Sequence, residues 1–480
     1  MADAYKQNIK DAVSDPRLQI AIYNNTGRLV ENRKNVVGTD TLPGYQGLRD
    51  QAHAIKKHTL DHLDYYLELV EKKMAERGGK VVYARDAAEA CEFIAKLAES
   101  RGVKLVVKSK SMTTEEIELN HALEKRGVEA VETDLGEYIL QLNEEKPYHI
   151  IAPALHKTRF DVAEIFERKL GGPKEIVPEK QTQIARRVLR EKFLAAGIGV
   201  TGANFVVADS GAVVVVENEG NARLTSSAPK IHVAVAGLEK MVPRAQDLAV
   251  FLKLLARSAT GQPLSVYTSF LSPPKRAAEV DGPEEFYLLL LDNGRTRLLA
   301  DEGKRESLYC IRCGACLNHC PVYRKIGGHS YPWVYSGPIG AIITPQYMGL
   351  AQDPWLPYAS SLCGACAEVC PVKIDIPKHL LTLRHEITEM RTREGKNKLE
   401  KLAFRLWAFA MRHPKLYERL GTMAAGVAPS AAEDEWIKKL PSMLHRGPAA
   451  AWLSERDLPP SPKASFREQW RARQKRKANG

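Results

Sequence analysis

Residues 80–108 read KVVYARDAAEACEFIAKLAESRGVKLVVK. The β-branched run Val81–Tyr83 leads into a helical pattern over Ala87–Ser100, and the chain returns to an apolar strand at Leu105–Val107. The same alternation continues with a helix over Thr113–Lys125, a strand at Ala130–Glu132, an apolar run at His149–Ala152 and a helix over Phe160–Leu170. Strands that alternate with helices in this way predict an open parallel sheet covered by helices.

Further along, Glu179–Ala196 reads as a long polar helix. Asn204–Ala208 and Ala212–Glu217 are strands separated by Asp209, Ser210 and Gly211, a hairpin turn signal. Ile231–Val235, Val266–Ser269 and Phe286–Leu291 add strands, with a helix over Ala245–Ser258. Upstream, Leu60, Leu63, Leu67 and Val70 recur at helical spacing within Leu48–Arg77. The expected organisation is an N-terminal, partly ordered arm at 1–47 and an α/β domain at 48–295. A cysteine-rich ferredoxin-like region at 301–385 and a helical basic region at 391–480 follow.

The 480 residues, 44% hydrophobic and 27% charged, exclude a disordered or fibrous protein. The net charge of +12 is local. Residues 391–480 hold 20 Lys+Arg against 9 Asp+Glu, whereas residues 1–390 hold 50 against 49. Within the basic region Lys396–Leu420 reads as a helix with Leu399, Leu402, Leu406 and Phe409 near one face. Ala424–Ala432 reads as a linker, Gly447–Ala464 as a proline-rich extended stretch, and the last ten residues as a frayed, solvated end. Neither a helix-turn-helix nor an RNA-binding motif accompanies the charge, so nucleic acid is not the expected partner. Met1–Asp15 is polar and carries no signal-peptide pattern, and no run of about 18 apolar residues occurs. A reducing cytoplasm is the expected setting, with contact at the inner membrane face peripheral at most.

Seven of the eight cysteines fall between Cys310 and Cys370. The first run is Cys310-Ile-Arg-Cys313-Gly-Ala-Cys316-Leu-Asn-His-Cys320-Pro321, the C-x₂-C-x₂-C-x₃-C-P pattern of iron–sulfur proteins. Two-residue gaps let the chain wrap one small body, and Gly314 suits a tight backbone approach. The second run, Cys363-Gly-Ala-Cys366-Ala-Glu-Val-Cys370-Pro371, repeats the last three cysteines, with Ser360 where the first has Cys310. Where the fourth cysteine of each run serves the other cluster, Cys310, Cys313, Cys316 and Cys370 form one full set. Cys320, Cys363 and Cys366 form a second, whose fourth position is open or filled by Ser360, Ser361 or water. That second cluster is then a three-iron cluster or a four-iron cluster with a non-cysteine ligand. Paired C-x₂-C motifs also bind zinc, but the third cysteine, the three-residue gap and the C-P ending, all repeated, favour iron and sulfide. Cys91, among Ala90, Phe93 and Ile94, reads as a buried small hydrophobe.

Polar groups cluster where the predicted strands end. They include Lys108–Met112, Thr133, Asp134, Gly136, Glu137, His156, Lys157, Thr201–Asn204, Glu217–Asn221 and His232. Open α/β sheets bind ligands there, although turns and caps use the same residue types. No P-loop, G-x-G-x-x-G or Ser-His-Asp order is present, and no residue is assigned a catalytic role.

Lys108–Met112, Glu132–Gln141, Asn204–Asn221, both cysteine runs, Trp333–Ile339 and Val372–Pro377 together resemble the lactate utilization protein B family, from about residue 50 to 475. The resemblance implies a lactate-utilization α/β domain similar in fold to the sugar-phosphate isomerase and CoA-transferase group. It implies two four-iron clusters, held by Cys310, Cys313, Cys316 and Cys370 and by Cys320, Cys363 and Cys366. The role implied is electron transfer in the oxidation of L-lactate to pyruvate, allowing growth on lactate, together with partner subunits that carry the lactate chemistry. On this reading the chain is a non-catalytic subunit. The rival reading makes the α/β domain an acyl- or CoA-transferring enzyme regulated by its clusters.

Overall fold

The computed structural model describes residues 2–38, 40–427, 436, 459 and 464–478. The chain divides into two compact units, Met1–Ile387 and Thr388–Gly480.

The first unit is built on a six-stranded sheet. Its strands are β1 (Lys80–Ala84), β2 (Leu105–Lys108), β3 (Glu129–Glu132), β4 (Ile198–Gly202), β7 (Ile231–Gly237) and β10 (Glu285–Leu291). They lie in the order β1-β10-β7-β4-β2-β3, and every pair is parallel. Both faces are buried, which explains why the strands read as continuous apolar runs. Along β7, Val233 and Val235 meet Ile94, Ala98 and Leu289 on one face. Ala234 and Ala236 face a second core with Val70, Met74 and Phe251. That core runs on without a break through Cys313, Leu317, Tyr335 and Ile342, so the α/β part and the cysteine region share one interior.

The strand order reverses once. After β2 the chain adds β3 outward, and from β4 it turns back through β7 and β10 toward β1. The carboxyl ends of β2 and β4 therefore flank a crevice, where such sheets bind ligands. A smaller sheet, β8-β5-β6-β9, is formed by β5 (Phe205–Val207), β6 (Ala212–Glu217), β8 (Met241–Val242) and β9 (Tyr267–Leu271). The expected hairpin is its centre, with Gly211 in the left-handed region (φ 68°).

Four expectations for this unit are corrected. Most of the expected arm is helical, as Ala2–Ser14 and Pro16–Val37. Asp15 caps the second helix by accepting from Arg17 N and Leu18 N, Pro16 opens it, and Ile22 and Thr26 are buried. Leu48–Arg77 is two helices, Tyr45–Asp61 and Leu63–Ala75, broken at His62 (φ −128°). Thr113–Lys125 is likewise split into Met112–Glu116 and Leu119–Glu124, because Glu118 is left-handed (φ 52°). His149–Ala152 is a turn rather than a strand: Ile151 N and Ala152 N both donate to His149 Nδ1.

In the second unit the expected Lys396–Leu420 helix is two, Lys398–Arg412 and Pro414–Val427. The expected frayed end is a helix, Phe466–Ala478, whose Arg467 and Arg471 pair with Glu418 at 3.2 and 2.6 Å. The linker expected over 424–432 begins inside the Pro414–Val427 helix. Its remainder and most of 447–464 lie outside the described residues. Among the described residues no helix is long and apolar enough to cross a membrane.

Candidate metal centre

The two cysteine runs fold alike, residue for residue. Arg312 (φ 60°) and Leu362 (φ 55°) are left-handed, and Gly314 (φ 73°) and Gly364 (φ 85°) each open a five-residue helix, Ala315–His319 and Ala365–Val369. Left-handed geometry costs an ordinary residue roughly 1–2 kcal/mol, so its use in both runs marks an imposed shape. The backbone aims N–H groups at sulfur: Arg312 N to Cys310 Sγ, Tyr323 N to Cys320 Sγ and Ile374 N to Cys370 Sγ, all 3.4 Å. Ser360 stands in the local place of Cys310. Its Oγ accepts from Leu362 N at 3.1 Å, two residues on, as Cys310 Sγ accepts from Arg312 N.

The thiols sort by their electrostatic neighbours. Cys313 interacts with Cys370 and Cys310. Cys316 interacts with Cys313, Cys310 and Cys370 first, and with Cys366 last. Cys320 interacts with Cys363, and Cys366 with Cys320 and Cys363. Cys370, from the second run, thus neighbours the first run. Five thiols are buried, Cys310 is half-buried and Cys363 is exposed. Burial pushes Cys370 up to about 11 and Cys366 up to about 12. As free thiols they keep their protons, and metal binding must release them.

A tetrahedral zinc site with Zn–S near 2.3 Å needs sulfurs about 3.8 Å apart. No three cysteine sulfurs lie within 4.8 Å of one another. Seven thiols in two repeated runs exceed the four that a single zinc ion takes and suit a larger inorganic body. Cations surround it. Arg49 Nε donates to Cys370 O at 2.9 Å and its Nη2 to Ala367 O at 3.2 Å, while Arg33 Nη2 reaches Val369 O at 3.4 Å. Sequence reasoning misses both: Arg33 lies in the stretch expected to be a partly ordered arm, and Arg49 lies in the expected Leu48–Arg77 helix, where nothing in the pattern marks it out. The Asp15–Pro16 cap is the signal that marks the helix of Arg33. Cys91, as expected, is buried, and its Sγ donates to Ile117 O at 3.3 Å.

Behind the first run lies a buried ionic network. Arg295, which opens the helix Arg295–Ala300 after β10, binds Glu116 and Glu239, and Tyr335 Oη donates to Glu116 Oε2 at 2.6 Å. Arg312 packs its guanidinium over Tyr335, 4.5 Å from the ring centroid, and pairs with Glu239 at 3.6 Å.

The polar strand-end residues divide. Lys108 is buried against Glu115 (2.5 Å) and Glu132 (2.7 Å), Thr133 Oγ1 donates to Lys108 O, and His232 pairs with Thr201. Burial pushes His232 down to about 3. These groups bond one another inside the fold, leaving His232 Nδ1 and Glu132 Oε2 without partners. Burial and Glu132 raise Glu137. Ser109–Met112, Asp134, Gly202–Asn204 and Glu217–Glu219 instead line one cavity of about 270 Å³, together with Lys240, Arg312 and Tyr335. His156 and Lys157 lie elsewhere, both on Glu145.

Residues 67–291 match the LUD domain, 306–374 the 4Fe-4S dicluster domain and 382–475 the C-terminal domain of lactate utilisation protein B. Fold and thiol site together define an iron–sulfur protein with a parallel α/β domain. Lactate utilization protein B of Bacillus velezensis is 42% identical over 476 residues, covering 99% of this chain and 98% of its own. That of Bacillus thuringiensis is 44% identical over 473 residues, covering 98% and 97%. The chain belongs to the lactate utilization protein B family. A solved DUF162 family protein from Deinococcus radiodurans covers 48% of this chain and 98% of its own at 13% identity, with a TM-score of 0.28, too low to carry any argument.

Proposed function

We propose that this chain is the electron-transfer subunit of an assembly that oxidises L-lactate to pyruvate. Cys310, Cys313, Cys316 and Cys370 hold one [4Fe–4S] cluster. Cys320, Cys363 and Cys366 hold a second, with Ser360 as its fourth ligand. The reading is carried by the sorting of the seven thiols into two groups, with Cys370 beside the first run. The Ser360 assignment rests on its sharing the hydrogen bond that marks Cys310.

Lactate oxidation releases two electrons, and each cluster carries one at a time. A partner subunit performs the two-electron chemistry, and the clusters relay its electrons onward. Backbone N–H groups on Cys310, Cys320 and Cys370 and the buried arginines tune the potentials by offsetting negative charge. The exposed Cys363 makes the second cluster the exit toward solvent and a redox partner. The excess of Lys and Arg after residue 390 favours an acidic partner, where charge chiefly raises the on-rate. Cys310→Ser tests the reading: it removes a ligand of the first cluster, lowers iron content and stops growth on lactate. Unchanged growth with full iron content overturns it.

A further inference from the structure

We propose that the crevice at the carboxyl ends of β2 and β4 is a binding site for a short monocarboxylate bearing an oxygen at C2, held by Arg312, Lys240 and Ser109. This goes beyond electron transfer, since the chain itself then recognises the acid; the choice of a lactate-like acid rests on the function proposed above.

Three residues with polar atoms that lack hydrogen-bond partners line the cavity. Arg312 is 9% exposed, and its Nε and Nη1 are buried with no hydrogen-bond partner. Ser109 is 2% exposed, and its Oγ is likewise unpartnered. Lys240 is 7% exposed, and its ammonium makes no hydrogen bond or close ion pair among the described residues, with Glu239 offsetting part of its charge. Leaving such groups buried and unsatisfied costs about 1–3 kcal/mol each, more when they are charged. A carboxylate between the two cations removes that cost, and the Ser109 hydroxyl completes the site by bonding an oxygen on C2.

The remaining lining narrows the ligand. Lys110 is already bound to Ile151 O. Asp134 caps Glu137 N, Glu217 accepts from Ala222 N and Arg223 N, and Glu219 accepts from Leu135 N. These carboxylates are committed to backbone donors, and they disfavour a polyanion by like-charge repulsion. The cavity of about 270 Å³ holds a three- or four-carbon acid with some ordered water. Arg312 also donates its backbone N–H to Cys310 Sγ, so occupancy of the crevice is felt at the first cysteine group.

The test is calorimetric titration of L-lactate, pyruvate, propionate and inorganic phosphate into the anaerobically reconstituted full-length protein, with iron assayed on each sample. The expected result is saturable binding of lactate or pyruvate, weaker propionate and no phosphate. Lys240→Met binds about tenfold or more weakly and Ser109→Ala severalfold more weakly. Both variants lie outside the cysteine runs and retain their iron. Bound acid also shifts the EPR signal of the reduced first cluster. No saturable binding, equal binding of propionate or phosphate, or undiminished affinity in both variants overturns the proposal. Iron content separates the two failures: full iron without binding sinks this site alone, whereas protein that takes up no iron sinks the electron-transfer reading.

Discussion

Arg295 meets Glu116 in a two-pronged ion pair, with both N–O separations 2.9 Å and neither side chain more than 1% exposed. Arg295 opens the short helix Arg295–Ala300 that follows β10, and Glu116 also accepts from Tyr335, which lies between the cysteine runs. The pair therefore ties the sheet to the cysteine region. Removing one partner of a buried pair leaves the other uncompensated, at about 3–5 kcal/mol. Arg295→Met is expected to lower stability by that order and to lower iron retention with it, as read by thermal unfolding of the reconstituted protein. An unfolding midpoint equal to wild type contradicts this role.

Glu239 gives the network a pH dependence. Burial alone would raise its pKa, but Arg295 and Arg312 hold it down at about 2, from an ordinary 4.5. A depressed carboxylate stabilises the fold in full above the unfolded pKa and loses that contribution as pH falls through the folded one. The difference in unfolding midpoint between wild type and Glu239→Gln should thus be constant above about pH 4.5 and close as pH falls toward 2. A difference that grows on acidification has the wrong sign for this account.

The two loop glycines should differ. A Cβ on Gly314 would sit 2.9 Å from Ile151 Cγ1 and 3.2 Å from His149 Cε1, whereas one on Gly364 meets nothing within 4 Å. Both positions are left-handed, so alanine at either is strained by about 1 kcal/mol. Gly314→Ala carries a clash as well. It is expected to lose iron on gel filtration, while Gly364→Ala keeps most of its own. Equal losses would mean that the 149–152 turn does not brace the first run.

The alternation over residues 80–170 was enough to read a parallel sheet, because strands buried on both faces spell out continuous apolar runs such as Leu105–Val107 and Phe286–Leu291. The two cysteine runs stood out for a different reason: two-residue gaps let a chain wrap one small body. What the sequence hid was long-range. Arg295, Glu116 and Glu239 are scattered along the chain and meet only through the sheet. The His149–Ala152 run is apolar because it packs on the Gly314 loop, not because it pairs in a sheet. The helix breaks at His62 and Glu118 are single backbone angles that periodicity does not encode.

Ser360 can be tested by substitution in both directions. Ser360→Ala removes the side-chain oxygen that accepts from Leu362 N. It should increase a three-iron EPR signal in protein purified anaerobically. Ser360→Cys restores the C-x₂-C-x₂-C-x₃-C spacing of the first run and should suppress that signal. If neither variant changes the signal, Ser360 is not a ligand of the second cluster.

The most direct test concerns Cys370, which lies in the second run but neighbours the thiols of the first. Cys370→Ser is to be purified anaerobically and reduced stepwise, with EPR, iron and sulfide read on the same samples. The account predicts loss or conversion of the cluster held by Cys310, Cys313 and Cys316, with the other cluster unaltered. Loss of the cluster held by Cys363 and Cys366, with the first intact, would contradict it.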